Sequence, residues 1–199
     1  MNNIKRRLSN YYPVIKEILI SLGYGNEIKW VSEIPKSFDK IFFYREFAWV
    51  VINSGMNNKV ATTIFQNFWI NDSPNFNAIR HPNKNKALRE VYSRLDYYFK
   101  NFLESEDKLL FLKSLPHIGD ITKYHLARNL GLNYAKPDRH LVRISELFGY
   151  SSVQEFCENL STLTLDPIGV IDLVLWRFAT IYPNYLEIFE RRIEQSADL

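Results

Sequence analysis

Residues 115–131 read Leu-Pro-His-Ile-Gly-Asp-Ile-Thr-Lys-Tyr-His-Leu-Ala-Arg-Asn-Leu-Gly, a pattern typical of two helices joined by a tight hairpin. Pro116 disfavours helical geometry in the residue before it, so one helix is expected to end there. Gly119 is expected to supply the backbone freedom that a tight turn needs. Asp120 and Thr122 favour the start of the next helix, and the glycine that closes the run favours its end. The sequence therefore predicts a helix-hairpin-helix element.

The same turn is predicted to bind a phosphate group. The first N–H groups of a helix have no partner within the helix, and the helix dipole favours an anion beside them. Basic side chains lie close to the turn in sequence, namely Lys123, Arg128, Arg139 and Arg143.

A carboxylate follows the hairpin. Pro137 suits the first position of a helix, so Asp138 is expected in that helix's first turn. The helix continues with Leu141, Ile144 and Phe148 on one face. Because the helix dipole favours the ionised form of a carboxyl group there, Asp138 is a candidate catalytic group.

These residues resemble the helix-hairpin-helix DNA glycosylase superfamily, in which Leu-Pro-x-(Ile/Val)-Gly opens the hairpin and an aspartate follows it. The matching residues here are Leu115, Pro116, Ile118, Gly119 and Asp138. The chain looks closest to the small 8-oxoguanine glycosylases typical of archaea. Their Gly-x-Lys-x-Ala-x-His-x-Leu-Arg-Asn-x-Gly and Leu-Asp-Arg-His-Ile segments are similar to residues 119–131 and 137–141.

The resemblance implies an all-α fold in which two helical lobes flank a DNA-binding cleft. One lobe would extend over residues 35–135 and contain the hairpin at residues 105–131. The other would combine residues 1–34 with residues 136–199 and carry Asp138. The helical spacing of apolar residues agrees with this fold class, and no run clearly indicates a strand.

The resemblance also implies an activity, the excision of a damaged or modified base from double-stranded DNA. Breaking the N-glycosidic bond builds positive charge on the sugar, and a fixed carboxylate stabilises that charge or activates the attacking water. Asp138 is the expected catalytic residue, and His140 is a candidate supporting residue. The expected contacts to the DNA backbone come from His117, Gly119, Ile121, Thr122 and Lys123. The excised base stays open between 8-oxoguanine, alkylated purines and deaminated or otherwise modified bases.

One departure from the family pattern concerns the step after base release. Members that also cleave the strand carry a lysine two residues after the hairpin glycine, and this chain has Ile121 there. That lysine forms a Schiff base with the sugar, so we expect an enzyme that leaves an abasic site intact. Lys123 and Lys136 remain alternative nucleophiles, and a register error of two residues at the hairpin would reverse the expectation.

A second junction between helices is predicted at residues 53–58, Asn-Ser-Gly-Met-Asn-Asn. In the resembled superfamily a corresponding junction lies against the minor groove and fills the gap left by a flipped nucleotide. Met56 and Asn57 are the candidates for this wedge. In the alternative interpretation Met56 fills a gap in the core and the asparagines cap helices.

Composition limits the other classes of function. The net charge of the 199 residues is only +3, so partner choice depends on local clustering. The basic cluster at residues 5–7 is either a solvated face or a phosphate contact, and Pro13 is expected to break the helix that follows it. The single cysteine, Cys157, excludes an internal disulfide and a four-cysteine iron–sulfur cluster.

No histidine is paired at metal-ligand spacing, so we expect no cofactor beyond a monovalent or divalent cation at the hairpin. The absence of a signal peptide and of a long apolar run predicts a cytoplasmic protein without a membrane partner, and a monomer is expected. Two alternatives to an enzyme remain open. One is a helix-hairpin-helix module that binds DNA without chemistry, which has no need of Asp138 at the glycosylase spacing. The other is a purely structural helical domain.

Overall fold

The computed structural model describes residues 2–35 and 37–194, without the side chains of residues 2–7 and 192–194. The basic cluster at residues 5–7 therefore lies outside the described side chains. The described chain is predominantly helical, as the all-α prediction requires. Its helices in chain order are α1 (Asn2–Leu19), α2 (Gly25–Ser32), α3 (Lys40–Asn53), α4 (Asn58–Phe68), α5 (Pro82–Ser93), α6 (Leu95–Glu104), α7 (Lys108–Ser114), α8 (Thr122–Asn129), α9 (Arg139–Leu147), α10 (Val153–Thr164), α11 (Ile168–Ile181) and α12 (Tyr185–Glu194). A kinked segment at Ile20–Tyr24, in which Gly23 has φ 92°, links α1 to α2, and Phe76–Ala78 forms a 3-10 turn.

The chain divides into two compact units. Met1–Ile34 and Gly131–Leu199 form one, here called the split unit, and Pro35–Leu130 forms the other, the inserted unit. The hairpin lies in the inserted unit and Asp138 in the split unit. Charge is unevenly shared between them. The inserted unit has 14 lysines and arginines against 9 aspartates and glutamates, and is thus more basic than the chain as a whole.

Helix α3 is the centre of the inserted unit. It begins after Asp39, whose side chain accepts a hydrogen bond from the Phe42 N–H at 2.8 Å. It packs against α4, α5, α6 and α8. Its buried residues are Phe43, Tyr44, Glu46, Phe47, Ala48, Val50, Val51 and Ile52. Because helices surround α3, its apolar residues occur all round the helix, as expected for a buried helix.

A short β-ladder follows α4 in the inserted unit. Strand β1 (Trp69–Ile70) pairs antiparallel with β2 (Ser73–Pro74). Asn71 and Asp72 form the turn with φ angles of 49° and 56°, a left-handed conformation that these two residue types tolerate. The sequence did not indicate a strand here, because two residues are too few to show the alternation of a strand.

Helix α11 is the centre of the split unit and packs against α1, α2, α9 and α10. The expected break at Pro13 is wrong, since α1 continues through it. Buried side chains occur on both sides of the proline, at Leu8, Tyr12, Ile15 and Leu19. Their packing offsets the cost of about 3 kcal/mol that a proline imposes on a helix interior.

Candidate functional site

The hairpin turn between α7 and α8 begins with a four-residue turn closed by the Ile118 N–H, which donates to the Leu115 carbonyl at 3.1 Å. Pro116 occupies the second position, and His117 the third with φ 65°. This is the arrangement of a type II turn. Gly119 does not have a positive φ. The expectation that Gly119 provides the unusual backbone conformation is therefore wrong, because His117 provides it.

The start of α8 leaves backbone donors unused. The Gly119 N–H donates to Thr122 Oγ1 at 2.7 Å, so this group is already engaged. The N–H groups of Asp120, Ile121 and Thr122 have no acceptor among the described residues. A Cβ atom on Gly119 would meet nothing closer than Thr122 Oγ1, at 3.9 Å. The turn thus offers three N–H groups at a helix N-terminus, beside a residue without a side chain.

Two lysines and one aspartate surround these donors. Asp120 Oδ1 lies 2.7 Å from Lys113 Nζ and 3.5 Å from Lys123 Nζ. The hydrogen bond from Lys113 lowers the pKa of Asp120, so this carboxylate stays ionised. The Lys123 side chain is only 17% exposed, whereas Ile121 is 47% exposed. Ile121 is therefore accessible to a ligand at the turn, whereas the Lys123 side chain is largely covered.

The junction between α3 and α4 contains the two wedge candidates. Gly55 has φ 67°, which separates the two helices. Asn57 is the N-cap of α4, and its Oδ1 accepts a hydrogen bond from the Lys59 N–H at 2.9 Å. Met56 is half-buried. Asn57 thus has the capping role of the alternative interpretation, and the wedge role of Met56 and Asn57 stays a prediction.

The first turn of α5 lies in a basic stretch in which no single residue had a role predicted from the sequence, namely Arg80, His81, Lys84 and Lys86. Lys84 is buried, and its Nζ donates to the carbonyls of Ile52 at 2.8 Å and Ser54 at 2.7 Å. Lys84 thereby caps the C-terminal end of α3, directly before the junction between α3 and α4. No pattern in the sequence distinguishes Lys84 from its exposed neighbour Lys86, because the distinction depends on the chain segment packed against it.

His81 connects the same turn of α5 to the hairpin. Its ring centre lies 6.2 Å from that of His117. Burial lowers the pKa of His117, and electrostatic interactions with Lys84 and His81 lower it further. His117 is therefore expected to be neutral at pH 7, and the start of α5 lies beside the hairpin within the inserted unit.

Asp138 is the N-cap of α9, one residue before the helix and not within its first turn as expected. Its extended backbone, with φ −83° and ψ 169°, lets the side chain reach the free N–H groups of the helix. Oδ1 accepts from His140 N–H at 2.9 Å and Leu141 N–H at 3.1 Å. Oδ2 accepts no hydrogen bond from any residue that the structure describes. Asp138 is thus a fixed carboxylate with one oxygen available.

Two side chains fix the segment before Asp138. Gln154 Oε1 accepts from the Ala135 N–H at 2.9 Å, and its Nε2 donates to the Asn133 carbonyl at 2.9 Å. The buried carboxylate of Asp172 accepts from the Lys136 N–H. Sequence reasoning missed both residues, since their roles depend on α10 and α11 packing against this segment.

His140 supports Asp138 through its backbone and not through its ring. The backbone N–H donates to Asp138, as described above, while the imidazole Nδ1 lies 3.2 Å from the Tyr185 hydroxyl oxygen. Burial lowers the pKa of His140, against the opposing effect of Asp138.

The described side chains contain no group of three or more His, Cys, Asp or Glu residues placed to hold a metal ion. A cation at the hairpin stays a prediction. Cys157 is buried, and burial raises the pKa of its thiol. None of the helices within residues 2–35 and 37–194 combines the length and apolar character needed to span a membrane.

No protein-family model, curated protein or solved structure matches this chain. A functional assignment must therefore come from the residues themselves.

Proposed function

We propose that this protein is a DNA glycosylase, which flips a damaged or modified base out of double-stranded DNA and cleaves its N-glycosidic bond. The observation that carries the proposal is the state of Asp138. Its Oδ1 is held by two backbone N–H groups, while Oδ2 accepts no hydrogen bond within the described chain. A carboxylate fixed in this way is suited to stabilise a developing cation without rearranging.

The hairpin would hold the DNA backbone. The N–H groups of Asp120, Ile121 and Thr122 are suited to a phosphate oxygen, and Gly119 has no side chain to keep that phosphate away. Such contacts position the duplex without reading its sequence. The proposal requires the hairpin and Asp138 to act on the same duplex.

In the chemical step the bond between the sugar C1′ and the base nitrogen breaks, and its electron pair leaves with the base. Asp138 Oδ2 stabilises the cationic sugar or accepts a proton from the attacking water, whose oxygen bonds to C1′, and the proton that the water loses ends on the departing base nitrogen. The products are the free base and an abasic site. With Ile121 at the position of the lyase lysine, the strand stays intact.

A second candidate function is DNA binding without catalysis. The observation that favours it is that the hairpin and the excess of basic residues both belong to the inserted unit, whereas Asp138 belongs to the split unit. A module that only binds the duplex needs nothing from Asp138.

The test is an excision assay on duplexes that each carry one modified base, with strand scission read with and without alkali. Asp138→Asn should retain the cap, since asparagine is also a strong N-cap residue. It should keep duplex binding and lower base release at least about a hundredfold. Asp39→Asn is the matched control, because Asp39 caps α3 with the same kind of hydrogen bond, and it should excise like the wild type.

Unchanged single-turnover excision by Asp138→Asn would remove this residue from the reaction. Binding without excision of any base in the panel would favour the non-catalytic function.

A further inference from the structure

An open groove of about 780 Å³ lies along the first three turns of α5. Three exposed cationic side chains line it, Arg80, Lys86 and Arg89. None of the three forms an ion pair with any residue that the structure describes. The positive charge of the groove is not offset by nearby residues in the sequence, since no aspartate or glutamate occurs between Asp72 and Glu90. We call this feature the α5 groove.

Arg89 is held in place within the α5 groove. Its Nε donates to Asn85 Oδ1 at 2.7 Å, and its guanidinium carbon lies 4.5 Å from the centre of the Phe76 ring. A guanidinium fixed by a hydrogen bond and an aromatic ring loses little freedom when it binds an anion. The one acidic residue that lines the groove, Glu90, accepts a hydrogen bond from the Tyr98 hydroxyl at 3.1 Å.

One end of the α5 groove is next in sequence to a residue that lies near the hairpin. Arg80 precedes His81, whose ring lies 6.2 Å from that of His117 in the turn. At about 1.5 Å per residue along a helix, Arg89 lies about 12 Å further on than His81. One DNA strand advances about 3.4 Å per nucleotide along the duplex axis, so a helix aligned with that axis would span three or four nucleotides over this distance.

We propose that the α5 groove binds phosphates of the same DNA that the hairpin holds, three or four nucleotides along one strand. This inference rests on the proposed function and adds a second phosphate-binding surface to it. The contact between His81, beside this end of the groove, and His117 of the hairpin favours a nucleic-acid backbone over a small free anion. Its binding energy is electrostatic and therefore independent of base sequence.

The test is a scan with uncharged phosphates. Duplexes carry one tetrahydrofuran abasic-site analogue, and a methylphosphonate replaces one phosphate at a time along each strand. The test variant is Arg80→Gln/Lys86→Gln, and both positions are exposed. The matched control is Lys29→Gln/Arg191→Gln, which removes the same charge from exposed positions in the split unit.

The wild type should lose affinity at two groups of phosphates, one held by the hairpin and one by the α5 groove. In the α5 variant, methylphosphonates in one of the two groups should no longer lower the affinity, while those in the other group still should. This is the coupling that a double-mutant cycle measures between a side chain and the phosphate it contacts. Its slope of log affinity against log salt should fall by about two, one for each lost contact. The control should behave like the wild type in the phosphate scan.

The possible failures are distinguishable. If the wild type is sensitive at a single group of phosphates, and the α5 variant has the same sensitivity, the proposal for the α5 groove is wrong and the glycosylase proposal stands. If the wild type does not bind the duplex at all, both proposals are wrong.

Discussion

The side-chain amide of Asn129 in α8 donates a hydrogen bond to Glu46 Oε2 in α3 at 3.0 Å, and both residues are buried. This bond attaches the second hairpin helix to the central helix of the inserted unit. Burial raises the pKa of Glu46 from 4.5 to about 7, although Arg45, Asn129 and Arg128 act in the opposite direction. A carboxyl group in the core of the inserted unit therefore titrates near neutral pH.

The stability of the inserted unit should depend on this titration. The folded state holds the Glu46 proton more tightly than the unfolded chain does, so the stabilising contribution is complete below pH 4.5 and is lost as the pH rises through about 7. Urea unfolding at several pH values between 4.5 and 8 measures the decline.

Glu46→Gln keeps an acceptor oxygen for Asn129 without the charge and should weaken this pH dependence. Glu104→Gln, on the exposed surface of α6, is the control and should retain it. An equal pH dependence in the wild type and Glu46→Gln would show that Glu46 does not titrate in this range.

Gly119→Ala should separate folding from DNA binding. The new Cβ meets nothing closer than 3.9 Å and the backbone is not left-handed, so the free energy of unfolding should stay equal or rise by about 0.4–1 kcal/mol. Binding to every duplex should weaken alike, because a methyl group would keep a phosphate away from the N–H groups. Gly149→Ala is the converse variant. Gly149 has φ 73°, a left-handed conformation, so alanine there should lower the free energy of unfolding. The folded Gly149→Ala protein should bind DNA like the wild type. Undiminished duplex binding by Gly119→Ala would contradict the close approach at the hairpin.

Asp120→Asn should strengthen DNA binding. It removes the negative charge beside the three hairpin N–H groups and releases Lys113 and Lys123 from their ion pairs. We expect a gain in affinity of about two- to fivefold at low salt, because interactions between exposed charges are weak. The matched control is Asp96→Asn, which breaks an exposed pair with Lys40 at 2.6 Å and should have a smaller effect. Equal gains in both variants would indicate a general effect of net charge.

Ile121→Lys should introduce strand cleavage after base release. A lysine at this exposed position would be the nucleophile of the lyase-competent superfamily members, and borohydride would trap its Schiff base with the sugar. The wild type should give no strong adduct, and Lys123→Gln should not differ from it. A strong wild-type adduct that disappears in Lys123→Gln would instead identify Lys123 as the nucleophile and shift the hairpin register by two residues.

Local signals in the sequence were sufficient to predict the fold class, the hairpin turn and the start of the helix that follows Asp138. Helical periodicity predicted a helical fold, and Leu115-Pro116 followed by Gly119 predicted the turn between α7 and α8. The short-range chemistry of caps placed Asp138 within one residue of its position at the start of α9. These features depend on backbone preferences within a few residues, so the sequence contains them directly.

Other features were decided only by the tertiary structure, because they depend on residues far apart in the chain. Helix α1 continues through Pro13 because its buried residues pack against the rest of the split unit. Lys84 closes α3 and His81 meets His117 because α5 packs beside both segments, and neither contact has a local signature. The pKa of Glu46 follows from the desolvation that α8 and the rest of the core impose, a quantity that only the packed structure determines.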